Sequence, residues 1–139
     1  MPKPILTALA VLLMLLPSAS LAQRVLQTAM PAEALAETSA LVVDIRAPHE
    51  WVETGVLPNA LLLTFTNPAE FMRELQAHLE PGQPVMLVCR TGNRTARAAA
   101  AIAPHMPVPV IDVQGGIMRM IADGYSPDTP TRAQGCTVC

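Results

Sequence analysis

The chain has 139 residues, a net charge of −2 and only 3% aromatic residues. This length is enough for one domain, whose core must be built from aliphatic side chains and methionine. The slightly acidic balance excludes a basic surface for nucleic acid, and three cysteines are too few for a disulfide scaffold.

The start of the chain is typical of a secretory signal. Lys3 supplies a positive charge, and residues 5–16 form an apolar run. Ser20 and Ala22 are small residues at the positions that precede a cleavage site. An uncleaved membrane anchor is the alternative, but the run is shorter than the roughly 20 residues that span a bilayer. We therefore predict a signal peptide over residues 1–22, a periplasmic location, and no stable membrane association after cleavage.

Apolar runs and helix-start signals alternate along the rest of the chain. The predicted strands cover residues 40–45, 60–65, 84–89 and 108–112. The predicted helices cover residues 27–37, 46–54, 67–79, 94–103 and 117–122. This alternation predicts an α/β domain with a mainly parallel sheet, in which a ligand site lies beyond the carboxyl ends of the strands.

The segment over residues 84–97 is the candidate reactive site. An apolar strand ends on Cys89, and a short polar loop then leads into an alanine-rich helix. The loop N–H groups and the helix N-terminus favour a thiolate, and Arg90 and Arg94 add positive charge. Gly92 allows the backbone to turn close to the sulfur. A buried, inert thiol is the alternative, but the glycine, the arginines and the helix together favour an exposed, reactive Cys89.

These residues resemble the active loop of single-domain rhodaneses, a family of sulfurtransferases. The cysteine and Arg94 are separated by four residues, as in that family's loop. Residues 43–46 resemble the family's Asp-x-Arg strand end, and residues 115–127 resemble its closing Gly-Gly segment. The resemblance implies a rhodanese-like three-layer domain over residues 23–127, with a mainly parallel central sheet flanked by helices.

The resemblance also implies a double-displacement mechanism through a persulfide on the loop cysteine. The thiolate would take sulfur from thiosulfate or a similar small anionic donor, and cyanide or a thiol would then accept the sulfur. Another periplasmic protein is a further candidate acceptor, and no metal or organic cofactor is required. The implied residues are the catalytic Cys89, the substrate-binding Arg90, Thr91, Gly92, Asn93 and Arg94, and the supporting Asp44 and Arg46.

Two other functions remain open from the sequence. A periplasmic persulfide carrier or sulfide-binding protein would use the same cysteine with little turnover of thiosulfate. A cysteine phosphatase or arsenate reductase of related fold is less consistent, because phosphate needs a loop one residue longer. The arginines could brace the loop instead of binding the donor.

The C-terminal segment (residues 128–139) is rich in Pro, Thr and Gly, and we predict that it is flexible and poorly ordered. It contains Cys136 and Cys139 in a Cys-x-x-Cys spacing. The pair could form an incidental disulfide, and a zinc site would need two further ligands. The remaining hypothesis is a redox relay, in which a mobile dithiol accepts sulfur from Cys89.

Overall fold

The computed structural model describes residues 25–139. The predicted signal peptide lies outside these residues, so cleavage and export stay predictions. No helix within the described part of the chain is both long enough and apolar enough to cross a bilayer.

Five strands form one sheet in the order β1-β5-β4-β2-β3, and all neighbouring strands run parallel. The strands are β1 (Leu26–Thr28), β2 (Leu41–Asp44), β3 (Leu61–Leu62), β4 (Val85–Val88) and β5 (Val110–Val113). The helices are α1 (Ala32–Ala36), α2 (Pro48–Thr54), α3 (Pro68–Gln76), α4 (Asn93–Ile102) and α5 (Gly116–Ala122). The predicted α/β architecture, a parallel sheet flanked by helices, is confirmed.

Two hydrophobic clusters cover the two faces of the sheet, because successive strand residues point to opposite sides. Leu87 and Cys89 belong to the cluster that α3 and α4 complete. Met86 and Val88 belong to the other cluster, which includes residues of α1, α2 and α5. The candidate cysteine therefore lies on the α3 and α4 side, at the carboxyl edge of the central strand.

The edges of the sheet differ from the sequence prediction. The helix predicted over residues 27–37 is shorter in the structure, and β1 comes before it as an edge strand paired only with β5. Of the strand predicted over residues 60–65, only Leu61–Leu62 (β3) forms a regular strand. Beyond β3, the N–H groups of Leu63 and Phe65 still donate to the neighbouring strand end, at 3.1 and 3.2 Å. The chain continues along the sheet there without a regular ladder.

The C-terminal segment is packed against the domain, contrary to the prediction of a flexible tail. Asp128 and Val56 exchange two backbone hydrogen bonds of 2.9 Å. Gln134 Nε2 donates to the carbonyl groups of Leu57 and Pro58, at 3.0 and 3.1 Å. These contacts bridge more than 70 positions along the chain, so the Pro, Thr and Gly content of the segment could not indicate them.

Candidate active site

Cys89 lies at the junction between β4 and the loop that leads into α4. The Gly92 N–H group donates a hydrogen bond to Cys89 Sγ at 3.1 Å. The hydroxyl of Thr95, in the first turn of α4, lies 3.6 Å from the same sulfur. Gly92 has φ 92°, a left-handed conformation that glycine adopts without strain. The predicted close approach of the loop backbone to the sulfur is thus present in the structure.

The cysteine is buried, whereas we expected an exposed sulfur. Cys89 is only 1% exposed, and its side chain lies within the core cluster beneath α3 and α4. Arg90 and Gly92 are half-buried, and Thr91 between them is exposed. A reagent therefore has to approach the sulfur past this short loop. The burial follows from helices that are distant in sequence, which the local motif does not reveal.

The first turn of α5 fixes the orientation of the loop. Ile117 N–H donates to the Cys89 carbonyl at 2.9 Å, and Met118 N–H donates to the Arg90 carbonyl at 3.1 Å. In a trans peptide the N–H group points opposite to the C=O group. The N–H groups of Arg90 and Thr91 consequently point away from α5.

This arrangement requires a glycine at position 116, where the loop backbone and α5 are in contact. A Cβ atom on Gly116 would lie 2.3 Å from the Cys89 carbonyl oxygen and 2.6 Å from the Arg90 carbonyl oxygen. Gly116 also has φ 57°, in the left-handed region. The sequence contained a visible cue, two consecutive glycines after a strand, but not the contact that explains them.

Both loop arginines pair with acidic residues of α2. The Arg94 guanidinium donates two hydrogen bonds to the Glu50 carboxylate, at 2.6 and 2.7 Å. Arg90 pairs with Glu53 at 3.3 Å, and both of these side chains are substantially exposed. Arg94 therefore braces the loop helix against α2. Binding of an anionic donor stays a prediction. Arg90 is the better placed of the two because its ion pair is longer and its partner Glu53 is exposed, whereas Glu50 is nearly buried.

Glu50 was not among the predicted site residues, yet the pKa of its carboxyl group is strongly lowered in the folded protein. The hydrogen bond from Arg94 lowers the pKa of Glu50 from 4.5 to about 2, against the opposing effect of burial. The Ala47 N–H group donates a further hydrogen bond at 3.0 Å. The same interaction with Glu50 raises the pKa of Arg94. The pair is consequently ionised throughout the physiological pH range.

Asp44 and Arg46 support the site through α2. The two side chains are 1% and 0% exposed and form an ion pair of 2.6 Å at the end of β2. Other N–H groups of Arg46 donate to the carbonyls of Glu50 and Gly55, at 3.2 and 2.8 Å. This network holds α2 beside the sheet edge, and α2 in turn carries the partners of the loop arginines.

The remaining loop residues have less direct roles. Thr91 and Asn93 are exposed, and within residues 25–139 neither side chain forms a hydrogen bond. Thr95, which was not predicted as a site residue, is fully buried beside the sulfur and donates to the Gly92 carbonyl at 2.9 Å. A hydroxyl in the first turn of the helix after Cys89 was the cue in the sequence.

Cys136 and Cys139 form a disulfide, and the structure does not bring them to the candidate site. Cys136 belongs to the core cluster on the α1, α2 and α5 side, whereas Cys89 lies on the opposite face of the sheet. Within the described residues, no group of three or more His, Cys, Asp or Glu is arranged to hold a metal ion. Direct transfer of sulfur between the two sites would require Cys136 to leave its packed position.

Comparisons with known proteins agree with the fold. A family model for the rhodanese-like domain matches residues 28–123. A solved rhodanese-related protein from Thermoplasma volcanium is 29% identical; the match covers 70% of this chain and 93% of that one, with a TM-score of 0.51. A thiosulfate sulfurtransferase from Pseudomonas aeruginosa is 19% identical; the match covers 77% of this chain and 21% of that one, with a TM-score of 0.54. No curated protein matches the chain.

The contact between Gly116 and the loop can be tested by substitution with alanine. Gly82 is a matched control, because it has φ 76° but a Cβ atom added there would meet nothing within 4 Å. Gly82→Ala should cost about 1–2 kcal/mol of unfolding free energy from backbone strain alone. Gly116→Ala should cost roughly 1–3 kcal/mol more, because the loop carbonyls must also move. Urea unfolding measures both, and equal costs would contradict this close packing of α5 on the loop.

The ion pair between Glu50 and Arg94 predicts a specific loss of stability in acid. The pKa of Glu50 is lowered on folding, so its contribution is complete above pH 4.5 and disappears as the pH falls toward about 2. Because Arg94 is 42% exposed, we expect a contribution of about 1–3 kcal/mol at neutral pH.

Urea unfolding of the wild type and Glu50→Gln between pH 7 and pH 2.5 measures this contribution. The stability difference should be largest at pH 7 and shrink below pH 4.5. Glu53→Gln, which alters only the exposed pair with Arg90, is the control and should change stability little. A difference for Glu50→Gln that does not depend on pH would argue against the assigned role.

Proposed function

Because the chain belongs to the rhodanese-like domain family, we propose that it is a sulfurtransferase that carries sulfane sulfur as a persulfide on Cys89. The observation that carries this proposal is the Gly92 N–H group directed at Cys89 Sγ at the start of α4. A backbone donor in that position stabilises negative charge on sulfur, and both the thiolate and the persulfide carry such charge.

The proposed donor is thiosulfate or a similar small anion. The Cys89 thiolate attacks the outer sulfur, the sulfur–sulfur bond of the donor breaks, and sulfite leaves with the bonding electron pair. An acceptor such as cyanide or a thiol then attacks the outer sulfur of the persulfide and restores the thiolate. The Gly92 amide is near enough to Sγ to stabilise the charge in both steps.

We further propose that the protein acts in the periplasm, after cleavage of residues 1–22, with a small-molecule or protein thiol as acceptor. The export signal in the sequence supports this location. Arg90 would attract the anionic donor, because its ion pair with Glu53 is long and both side chains are open to solvent.

A persulfide carrier with little turnover is the second candidate. It is favoured by the burial of Cys89 and by the pairing of both loop arginines with α2, since these features restrict access and reduce the net positive charge at the loop. A carrier would load sulfur on Cys89 but release it slowly to cyanide. The phosphatase alternative is disfavoured by the four-residue spacing between Cys89 and Arg94.

Intact-mass measurement after incubation with thiosulfate tests the proposal directly. We expect the wild type to gain one sulfur atom and Cys89→Ser to remain folded and gain none. Multiple turnover with cyanide identifies an enzyme, whereas loading without turnover identifies a carrier. Sulfur loading on Cys89→Ser, or hydrolysis of an aryl phosphate by the wild type, would refute the persulfide proposal.

The redox-relay hypothesis for Cys136 and Cys139 has its own test. Cys89 is first loaded with sulfur, and the release of that sulfur to a thiol is then compared in the wild type and in Cys136→Ser/Cys139→Ser. We expect equal rates, because the two sulfur sites lie on opposite faces of the sheet. Slower release of sulfur by the double variant would instead support the redox-relay hypothesis.

A further inference from the structure

The disulfide in the C-terminal segment has one buried end and one accessible end. Cys136 is 3% exposed and belongs to the hydrophobic core, whereas Cys139 is exposed. A thiolate must attack a disulfide sulfur in line with the sulfur–sulfur bond. Because Cys139 is the exposed residue of the pair, we expect an external thiolate to attack Cys139 Sγ, with Cys136 as the leaving sulfur.

Cys139 also lines a groove between the end of α2 and the C-terminal segment, with a volume of about 490 Å³. Val52 and Val138, which flank this Cys139 groove, are 57% and 62% exposed. Among the described residues only one other large hydrophobic side chain is exposed to a similar degree, Leu26 at 51% on β1. Asp128 contributes the only charged side chain in the groove lining.

We propose that the Cys136–Cys139 disulfide is a second reactive site, which exchanges with a dithiol protein that docks in the Cys139 groove. The accessible sulfur requires a thiol as its reaction partner. Exposed valines and a lining with a single charged side chain are features of the centre of a protein interface. They fit the apolar residues beside a cysteine in a polypeptide, and a small thiol would make no use of them.

The exchange transfers two electrons and two protons from the partner to this chain. A partner thiolate attacks Cys139 Sγ, the disulfide breaks, and Cys136 leaves as a thiolate that takes up a proton. The second thiolate of the partner then attacks the partner's own sulfur in the mixed disulfide and releases Cys139. The partner dithiol becomes a disulfide, and Cys136 and Cys139 become thiols.

Contacts other than the disulfide hold the segment in place, so the site can persist when the disulfide is reduced. Cys136 N–H donates to the Thr131 carbonyl at 3.2 Å, and Arg132 Nε donates to the backbone oxygen of the last residue, Cys139, at 2.7 Å. Gln134 anchors the same segment to the loop before β3. The disulfide closes only a short loop, which restricts the unfolded chain less than a long loop would. A purely stabilising role is therefore the weaker explanation.

Reduction kinetics in a Cys89→Ser background test the proposal without involving the persulfide site. Reduced thioredoxin serves as the protein dithiol, and dithiothreitol at equal dithiol concentration serves as the small one. Alkylation of the new thiols followed by intact-mass measurement reports the rate. We expect thioredoxin to react at least about tenfold faster than dithiothreitol.

Two variants at exposed residues distinguish docking of the partner in the groove from the intrinsic reactivity of the disulfide. Val138→Gln should slow reduction by thioredoxin about tenfold, in the range of an interface hot spot, and leave reduction by dithiothreitol nearly unchanged because it adds no charge beside the sulfur. Leu26→Gln makes a similar apolar-to-polar change at the third exposed hydrophobic residue, away from the groove, and should change neither rate. If thioredoxin is no faster than dithiothreitol, or if Val138→Gln has no selective effect, the disulfide has only a structural role and the proposal is wrong.

The site of attack is tested independently with single-cysteine variants. In the Cys89→Ser background, Cys136→Ser leaves the exposed Cys139 as the single thiol, and Cys139→Ser leaves the buried Cys136 as the single thiol. The Cys139 thiol should form a mixed disulfide with oxidised glutathione about tenfold faster than the Cys136 thiol. Equal rates would contradict the assignment of Cys139 as the attacked sulfur. These results do not depend on sulfur loading of Cys89, so failure here and failure of the proposed function are distinguishable.

Discussion

The thiol site depends on two backbone hydrogen bonds from the first turn of α5 to the loop after β4. The N–H groups of Ile117 and Met118 bind the carbonyls of Cys89 and Arg90. By fixing these carbonyls on one side, they turn the N–H groups of Arg90 and Thr91 away from α5. The next amide along the loop, that of Gly92, donates to the sulfur. The orientation of the first two peptide units of the loop is therefore set by a helix from a distant part of the chain. Gly116 is necessary because only a residue without a side chain allows this approach.

Helix α2 has a comparable role on the charged side of the site. The buried Asp44 and Arg46 pair fixes α2 to the end of β2, and Glu50 then fixes Arg94 on α4. Removing one member of the buried pair would leave an uncompensated charge, so this connection is costly to break. The two loop arginines consequently act first as structural links between helices. Any attraction of an anion has to come from the part of their charge that α2 leaves exposed, and the looser ion pair of Arg90 leaves it freer to turn toward a donor.

Sequence patterns predicted the parts of the fold that depend on interactions between residues close together in the chain. The strand, glycine turn and alanine-rich helix around Cys89 were evident because hydrophobic runs and backbone requirements are visible in a short window. β1 was missed because its three residues lie at an edge, and its outward residues give no apolar run. The ion pair between Glu50 and Arg94 spans 44 positions, and the burial of Cys89 depends on α3 and α4. No window around Cys89 contains those partners, so the sequence supported the chemistry of the site better than its accessibility.

The separation of the two sulfur sites follows from the alternation of side chains along a strand. Residue 89 falls on the α3 and α4 face of the sheet, and Cys136 packs on the other face with Met86 and Val88. A persulfide reacts readily with neighbouring thiols, so a reduced Cys136 beside Cys89 would remove the sulfur that we propose Cys89 to carry. With the sheet between the two cysteines, direct contact between them is excluded as long as Cys136 stays in its packed position. The two proposed reactions, sulfur transfer at Cys89 and disulfide exchange at Cys139, are therefore compatible within one domain.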